Sequence, residues 1–516
     1  MSRLALLSVW DKTGIVELAS KLVQDFDFEL ISSGGTASVL TEAGLPVTKV
    51  SDYTQSPEIL GGRVKTLHPR IHGGILARKD VETDLADLEA NQIRPIDLVV
   101  VNLYPFEQTI AKSGVTLAEA IEQIDIGGVA LLRAAAKNFA HTTVLANPHS
   151  YNNYLTELSK NEDTTASLDF RRDMAVAAFQ QTQIYDQAIA SYLANYESNS
   201  TLPHNFAVAG EQIQALRYGE NPHQQAAWYQ IGNKPKGWTT ALKIQGKELS
   251  YNNLVDLEAA RGIISEFPPE ETPAAAILKH TNPCGVALGN TLLEAYEKAL
   301  AADSVSAFGG IVALNQPIDA DTAKELTKTF LECVVAPGCT AEAQTILGKK
   351  SNLRVLVLPT ITSGPAYSLK AIAGGLLVQT TDSTPDDSHT WEIVTQLHPD
   401  SEQMQELIFA WKVAKHVKSN SIVISKNKTT VGIGAGQMNR VGSVKIALET
   451  ASNQATGAVL ASDGFFPFDD SVRTAAAAGI SAIIQPGGSI RDNDSIKAAN
   501  ELGLIMILTG VRHFLH

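Results

Sequence analysis

Apolar runs of strand length alternate with helix-period segments along the first 150 residues. Residues 4–9, LALLSV, form one run and residues 28–31 another. Between them Ile15, Leu18, Ala19 and Leu22 recur at helical spacing, so 14–24 reads as a helix and the chain opens with a βαβ unit. The same reading predicts strands at 97–103 and 142–146, helices at 81–92, 117–124 and 129–137, and a long closing helix over 168–195. Strands alternating with helices make a parallel sheet covered on its faces, so the class is α/β. Residues 196–206, YESNSTLPHNF, are polar and carry Pro203, which reads as a linker between domains at 1–196 and 206–516.

The second part is mixed as well. Strands are expected at 274–279, 310–314, 353–358, 421–425, 458–462 and 504–508, separated by helical segments. At about 310 residues it exceeds the size of most single cores, so two subdomains are expected. ILKHTNPCG (277–285) and VGIGAGQMNR (431–440) both read as a strand, a small-residue turn and a helix start, a faint sign of internal duplication.

Composition narrows the class. Apolar residues are 44% and charged residues 19% of 516, which fits folded globular domains and excludes disorder and fibres. A net charge of −14 repels polyanions, so no nucleic-acid partner is expected. Three cysteines, at 284, 333 and 339, make no disulfide framework and no CxxC pair, which points to a reducing cytoplasmic setting. The N-terminus lacks the apolar core and cleavage site of a signal peptide. The longest uncharged stretch, 474–490, is interrupted by Gly479, Pro486, Gly487 and Gly488, so no membrane partner is expected either.

Four turns in the first domain are expected to follow strands: SVWDKTG (8–14), SSGGT (32–36), GGRVKT (61–66) and DIGG (125–128). Ligands of open parallel sheets bind beyond the carboxyl ends of the strands, where helix N-termini aim free N–H groups at anions. Convergence of these turns makes a phosphate pocket, with Lys12, Ser33, Gly35 and Thr36 as donors. None of the turns matches GxxxxGK[ST] or GxGxxG, which argues against nucleotide hydrolysis and NAD binding. Lys65, Tyr104, Asp125 and Lys137 lie near predicted strand ends or helix starts; the choice there is between acid–base chemistry and a solvated surface. Arg63 and Lys65 share one side of what reads as an extended segment, which suits a polyanionic small ligand. His68 and His72 have no second ligand at metal spacing and read as structural.

In the second domain Lys279 and His280 end an apolar strand abruptly with two ionisable groups, one able to stabilise an oxyanion and the other to move a proton. Cys284 follows Pro283 as in the PCxxC zinc motif, yet position 287 is Ala and the partnering HxE is missing, so no metal is expected and Cys284 reads as inert. RYGENPH (217–223) is a second polar run, and SDGFFPF (462–468) offers phenylalanines to a ligand or to the core.

Taken in order, SVWDKTG, SGGT, GGRVKTLHP, NLYPF, DIGG, LLRAAAKN, LRYGENPHQ, LKHTNPCG, IGAGQMNR and SDGFFPF resemble the bifunctional AICAR formyltransferase/IMP cyclohydrolase family of purine biosynthesis, from about residue 4 to Phe514. The resemblance implies an N-terminal methylglyoxal-synthase-like doubly wound parallel sheet and a C-terminal duplicated cytidine-deaminase-like α/β domain without zinc. It implies a homodimer with transformylase sites built across the subunit interface. Its substrates are AICAR, FAICAR/IMP and folate; 10-formyltetrahydrofolate is a co-substrate, and no tightly bound cofactor is expected. Lys279, His280 and Asn420 match the transformylase's catalytic positions, and Arg217, Tyr218, Asp463 and Arg512 its substrate positions. Lys65, Tyr104, Asp125 and Lys137 match the cyclisation residues, with Ser8, Lys12, Ser33, Gly34, Gly35, Thr36 and Arg63 around the nucleotide. One position departs: the family reads SVSDKTG, and here Trp10 replaces the second serine, at an expected loss of one charge-assisted bond to phosphate.

Overall fold

The computed structural model describes residues 2–161, 163–196, 202, 204–232, 235–383 and 386–516. They divide into two compact units, Met1–Ala209 and Gly210–His516; residues 197–201 and 203 of the expected linker lie outside the described set.

In the first unit, β1 (Arg3–Val9), β2 (Phe28–Ser32), β3 (Val47–Lys49), β4 (Leu98–Asn102) and β5 (Thr143–Leu145) form one parallel sheet in the order β3-β2-β1-β4-β5. Strand alternation sends Ala5, Leu7 and Val9 into one apolar cluster and Leu4 and Leu6 into another on the opposite face, so β1 is buried on both sides and helices cover both. The chain leaves β1 toward β2 on one side and β4 lies on the other. That reversal of strand order opens a crevice beyond the carboxyl ends of β1, β2 and β4. Only two of the four small-residue turns follow strands. GGRVKT begins within a 3₁₀ turn at Leu60–Gly62 and DIGG follows the helix Leu117–Glu122.

The second unit begins with a hairpin, β6 (Gly210–Leu216) and β7 (Ala226–Ile231). Then come β8 (Leu242–Gln245), β9 (Ala274–Lys279), β10 (Asn282–Leu288), β11 (Gly310–Leu314), β12 (Leu331–Ala336) and β13 (Arg354–Val357), which make a sheet in the order β10-β9-β11-β12-β13-β8. A second hairpin, β14 (Tyr367–Ile372) and β15 (Gly375–Thr380), precedes β16 (Glu392–Ile393), β17 (Ile422–Ser425), β18 (Thr430–Gly434), β19 (Val459–Ser462), β20 (Ala482–Gln485) and β21 (Ile505–Leu508). These last six form a sheet in the order β18-β17-β19-β20-β21-β16.

The two six-stranded sheets repeat one plan. Each has an antiparallel hairpin, then a strand antiparallel to it, two further strands in parallel, and an antiparallel edge. The duplication extends to contacts: a Cβ on Gly285 of β10 would lie 2.0 Å from the Ala299 carbonyl oxygen, and one on Gly432 of β18 would lie 2.0 Å from that of Ala447. In both halves the following helix packs so close to the hairpin strand that only glycine fits. The matched segments are therefore β10 and β18 with their helices. ILKHTNPCG, read above as a strand running toward a helix, is instead the β9–β10 hairpin.

The halves meet edge to edge, where Leu288 N–H donates to Lys428 O (2.9 Å) and Val286 N–H to Thr430 Oγ1 (3.0 Å). They also share one central core. Helices Tyr251–Ile264 and Ser401–Ala414 place Leu257, Ile264, Leu407 and Trp411 against Leu278 and Val335 of one sheet and Val423 and Ile507 of the other. The expected subdomains are thus two topological halves around a common interior.

Candidate functional site

A cavity of ≈ 730 Å³ opens beyond the carboxyl ends of β1, β2 and β4, and all four small-residue turns contribute to it. It gathers Ser8, Lys12, Ser33, Gly34, Gly35, Thr36, Arg63, Lys65, Tyr104 and Asp125, together with Trp10 and Asn102. Two helices begin there. Gly34–Glu42 starts directly after Ser33, whose hydroxyl makes no cap bond, so its first N–H groups face the cavity. Gly127–Lys137 starts two residues after Asp125.

Side chains lock this wall to the sheet. Thr36 Oγ1 accepts from Val9 N–H (3.1 Å) and donates to Val9 O (2.9 Å), pinning the first helix to the end of β1. Asn102 Oδ1, at the end of β4, accepts from Trp10 N–H (2.7 Å) and Asp11 N–H (2.8 Å), and its amide donates to Asp11 O (3.0 Å). Lys12 donates to the Val9 carbonyl, and burial lowers its pKa. Lys65 lies near the first helix start: a Cβ on Gly34 would meet its Nζ at 3.3 Å, and its ion-pair partner Glu58 is 3.5 Å away. Arg63 pairs with Glu122 across the lining. The 60–66 segment is a turn rather than an extended strand, yet both of its cations reach the cavity.

Asp125 is the carboxyl of this lining that burial moves from its ordinary range. Burial raises its pKa above 3.8, partly offset by bonds from the N–H groups of Gly128 and Tyr104. Lys137 is not brought into this cavity. It ends the helix that Gly127 begins and is exposed about 15 Å away at 1.5 Å per residue. Trp10 is 49% exposed on the rim, its backbone N–H already taken by Asn102. His68 is structurally satisfied, accepting from Arg70 N–H (3.1 Å) and sharing a bond with Ser56 (3.2 Å). His72 departs from the structural reading, because its Nε2 is buried without a partner among the described residues.

In the second unit Lys279 ends β9, and His280 and Thr281 form the two-residue tip of the β9–β10 hairpin, both in the left-handed region at φ 53° and 61°. That conformation costs a non-glycine residue about 1–2 kcal/mol, and it holds His280 outward and exposed. Asp256 fixes the tip by accepting from Thr281 N–H (2.7 Å). Lys279 Nζ donates to Phe308 O (2.9 Å). Asn282 Oδ1 accepts from Lys418 N–H (3.1 Å), which ties the hairpin to the segment carrying Asn420.

Asn420 follows a cis peptide bond from Ser419 and is held through its side chain: Nδ2 donates to Gln437 O (2.8 Å) and Oδ1 accepts from Arg440 (2.8 Å). Arg440 pairs with Asp463, which is 0% exposed and also accepts from Ser419 Oγ and Ser421 N–H (3.1 Å). Asp463 therefore sits behind Asn420 as a buried anchor. Arg440 and Asn102 were both within the quoted motifs but not singled out; an arginine at a helix start and an asparagine at a strand end were the available signals. Arg217 lies 4.9 Å over the Tyr218 ring, and Arg512 4.7 Å over that of Phe514. The FFPF run divides, with Phe466 in the core and Phe465 and Phe468 exposed. Burial, aided by Asp303, pushes the Cys284 thiol up to about 12, so it is an unreactive thiol. No group of three or more metal-ligating side chains occurs among the described residues.

The fold defines a two-unit α/β protein whose first unit, with a crevice at its strand ends, is MGS-like; the MGS-like domain model matches residues 14–130. Residues 135–450 match the AICARFT/IMPCHase bienzyme model. The bifunctional purine biosynthesis proteins PurH of Gloeothece citriformis, Nostoc punctiforme and Synechocystis are 70%, 68% and 68% identical, each over 100% of this chain and 100% of its own. The chain belongs to the AICARFT/IMPCHase bienzyme family, as a bifunctional purine-biosynthesis enzyme with AICAR formyltransferase and IMP cyclohydrolase activities and a folate-derived formyl donor.

Proposed function

We propose that the first unit carries the cyclohydrolase and the second the transformylase, on the boundaries 1–196 and 206–516, with 10-formyltetrahydrofolate as donor. The observation that carries the assignment is the first cavity, where two helix N-termini, three cations and the raised Asp125 carboxyl converge.

In the second unit the amine of AICAR attacks the formyl carbon. A C–N bond forms, the bond from that carbon to the folate nitrogen breaks, and one proton passes from the attacking amine to the departing nitrogen. His280 removes that proton as attack develops, Lys279 stabilises the oxyanion or protonates the leaving nitrogen, and Asn420 orients the carboxamide. Arg217, Tyr218 and Arg512 bind substrate around them. In the first unit the carboxamide nitrogen of FAICAR attacks the formyl carbon and water leaves. Lys65 and Tyr104 polarise the formyl oxygen, and Asp125 accepts the amide proton. The N–H groups at Gly34, Gly35 and Thr36, with Ser8, Lys12, Ser33 and Arg63, hold the phosphate end. Holding the formamide folded supplies much of the rate. Lys137 has no role in this scheme within one chain.

A homodimer is part of the reading, supported by the exposed His280 at the hairpin tip. Three unbridged thiols support a cytoplasmic setting, and no helix among the described residues is long and apolar enough to cross a membrane. The test is to incubate purified protein with AICAR and 10-formyltetrahydrofolate and follow IMP. Formylated product without IMP, or no product, refutes the assignment.

A further inference from the structure

We propose that Glu122 is a resting counter-ion for Arg63, a built-in competitor that the anionic end of the nucleotide must displace. This rests on the reading that the nucleotide binds in the first cavity. Arg63 caps the 3₁₀ turn Leu60–Gly62, and Glu122 ends the helix Leu117–Glu122 on another wall; their ion pair bridges two segments of the lining. The other two cations are engaged differently. Lys12 donates to main-chain carbonyls, while the neighbouring Asp11 carboxylate is occupied by Thr13. Lys65 has Glu58 at 3.5 Å, and Glu58 is not part of the lining. Arg63 alone of the three is paired with a carboxylate that itself faces the cavity.

The chemistry of exchange follows. Both side chains are more than half exposed, at 65% and 58%, so either can swing without disturbing the core. A guanidinium donates two parallel bonds to a carboxylate or to a phosphate, and a phosphate brings more charge. Exchange of Glu122 for a phosphate is therefore favourable, whereas a ligand lacking an anion leaves the pair intact. The pair reduces affinity for every ligand that needs Arg63, since only the fraction with Arg63 released is competent. In return the empty cavity keeps less net positive charge, and an uncharged nucleoside gains nothing from Arg63. Glu122 acts through Arg63 and is a positioning residue.

The test uses the full-length chain, titrated calorimetrically with inorganic phosphate and with IMP, alongside cyclisation kinetics on FAICAR. Exposed ion pairs are weak, so Glu122→Gln is expected to tighten phosphate and IMP by about two- to fivefold. The KM for FAICAR falls by a similar factor, and the change falls on KM rather than kcat. In an Arg63→Gln background the same Glu122→Gln substitution has no effect, and Glu122→Asp lies between wild type and Gln. Affinity that is unchanged or weaker in Glu122→Gln, or a gain that persists without Arg63, overturns the proposal. Failure of the wild-type chain to cyclise FAICAR refutes the assignment of the reaction instead, because the phosphate titration reads the pair independently of turnover.

Discussion

The first cavity combines two helix starts with the cations Lys12, Arg63 and Lys65, and the Thr36–Val9 pair of bonds clamps the first helix to β1. The second site consists of side chains on a strained hairpin tip and on a segment held from behind by a buried ion pair. Trp10 stands exposed on the rim of the first cavity, its backbone N–H held by Asn102. A site of side chains depends on each anchor, and Asp463 is one that no ligand needs to touch.

The sharpest way to break this comparison is His280→Ala. The general-base role proposed for His280 predicts that formyl transfer falls by about 10²- to 10⁴-fold, while cyclisation of supplied FAICAR continues. Following each reaction separately checks it, and an equal fall in both means the two sites are not independent. Next is Asp463→Ala, which leaves Arg440 buried without its counter-charge at about 3–5 kcal/mol of stability. Calorimetry should show the second unit melting earlier, with cyclisation retained below that transition. If formyl transfer and melting are unaffected, the second site does not hang on its buried pair.

Much of this organisation was legible in the sequence, and the failures have physical reasons. Apolar runs located β1, β2, β4, β9 and β11 because each lies in a sheet covered on both faces and is apolar on both, whether its neighbours are parallel or antiparallel. β10 was hidden because Asn282, Pro283 and Cys284 look like a turn, and the two left-handed residues before them carry side chains where glycine usually signals a hairpin. β20 lay inside the uncharged stretch 474–490, where composition drew attention away from its four-residue strand. The helix Gly34–Glu42 opens with two glycines, poor helix formers placed there for the cavity's sake. Most of the named residues of the first cavity lie in or beside small-residue turns at strand or helix ends, whereas Asn102 and Glu122 carry no such signal. The Arg440–Asp463–Asn420 network joins residues up to 43 positions apart, and no local pattern announces it.

Smaller effects sharpen the contrast. Trp10→Ser restores a hydroxyl beside the phosphate wall without disturbing the turn, since Asn102 binds the backbone of residue 10 and not its side chain. IMP should bind about tenfold tighter, the worth of one charge-assisted bond, as read by calorimetric titration; weaker binding means the indole itself contributes. The smallest effects are in pH. Because burial raises the Asp125 pKa, the acid limb of cyclisation should lie above 3.8 and disappear in Asp125→Asn together with the activity. In the second unit burial alone would lower the pKa of His513, but Asp386 and Asp382 outweigh it and raise the value above 6.5. The folded state then holds a proton the unfolded chain releases, so this stabilisation is complete below pH 6.5 and is lost as pH rises through the raised value. Melting of the second unit across that range, compared with His513→Gln, reads it directly.

The common interior of the second unit also sets a timetable for the chain at the ribosome. Its core draws on Leu249 near the beginning and Ile507 near the end, and β21 lies inside its sheet, flanked by β16 and β20. The shared cluster cannot close until nearly the last residue has emerged, whereas the outer cluster of the first half, Ala275 to Val355, needs nothing later in the chain. The first unit is complete by Ala209, and at about 5–20 residues per second it leads by roughly 15–60 s. Premature termination anywhere after the first unit should therefore release a folded amino-terminal unit attached to a half-built, aggregation-prone remainder, and nascent-chain proteolysis at successive lengths would display that delay.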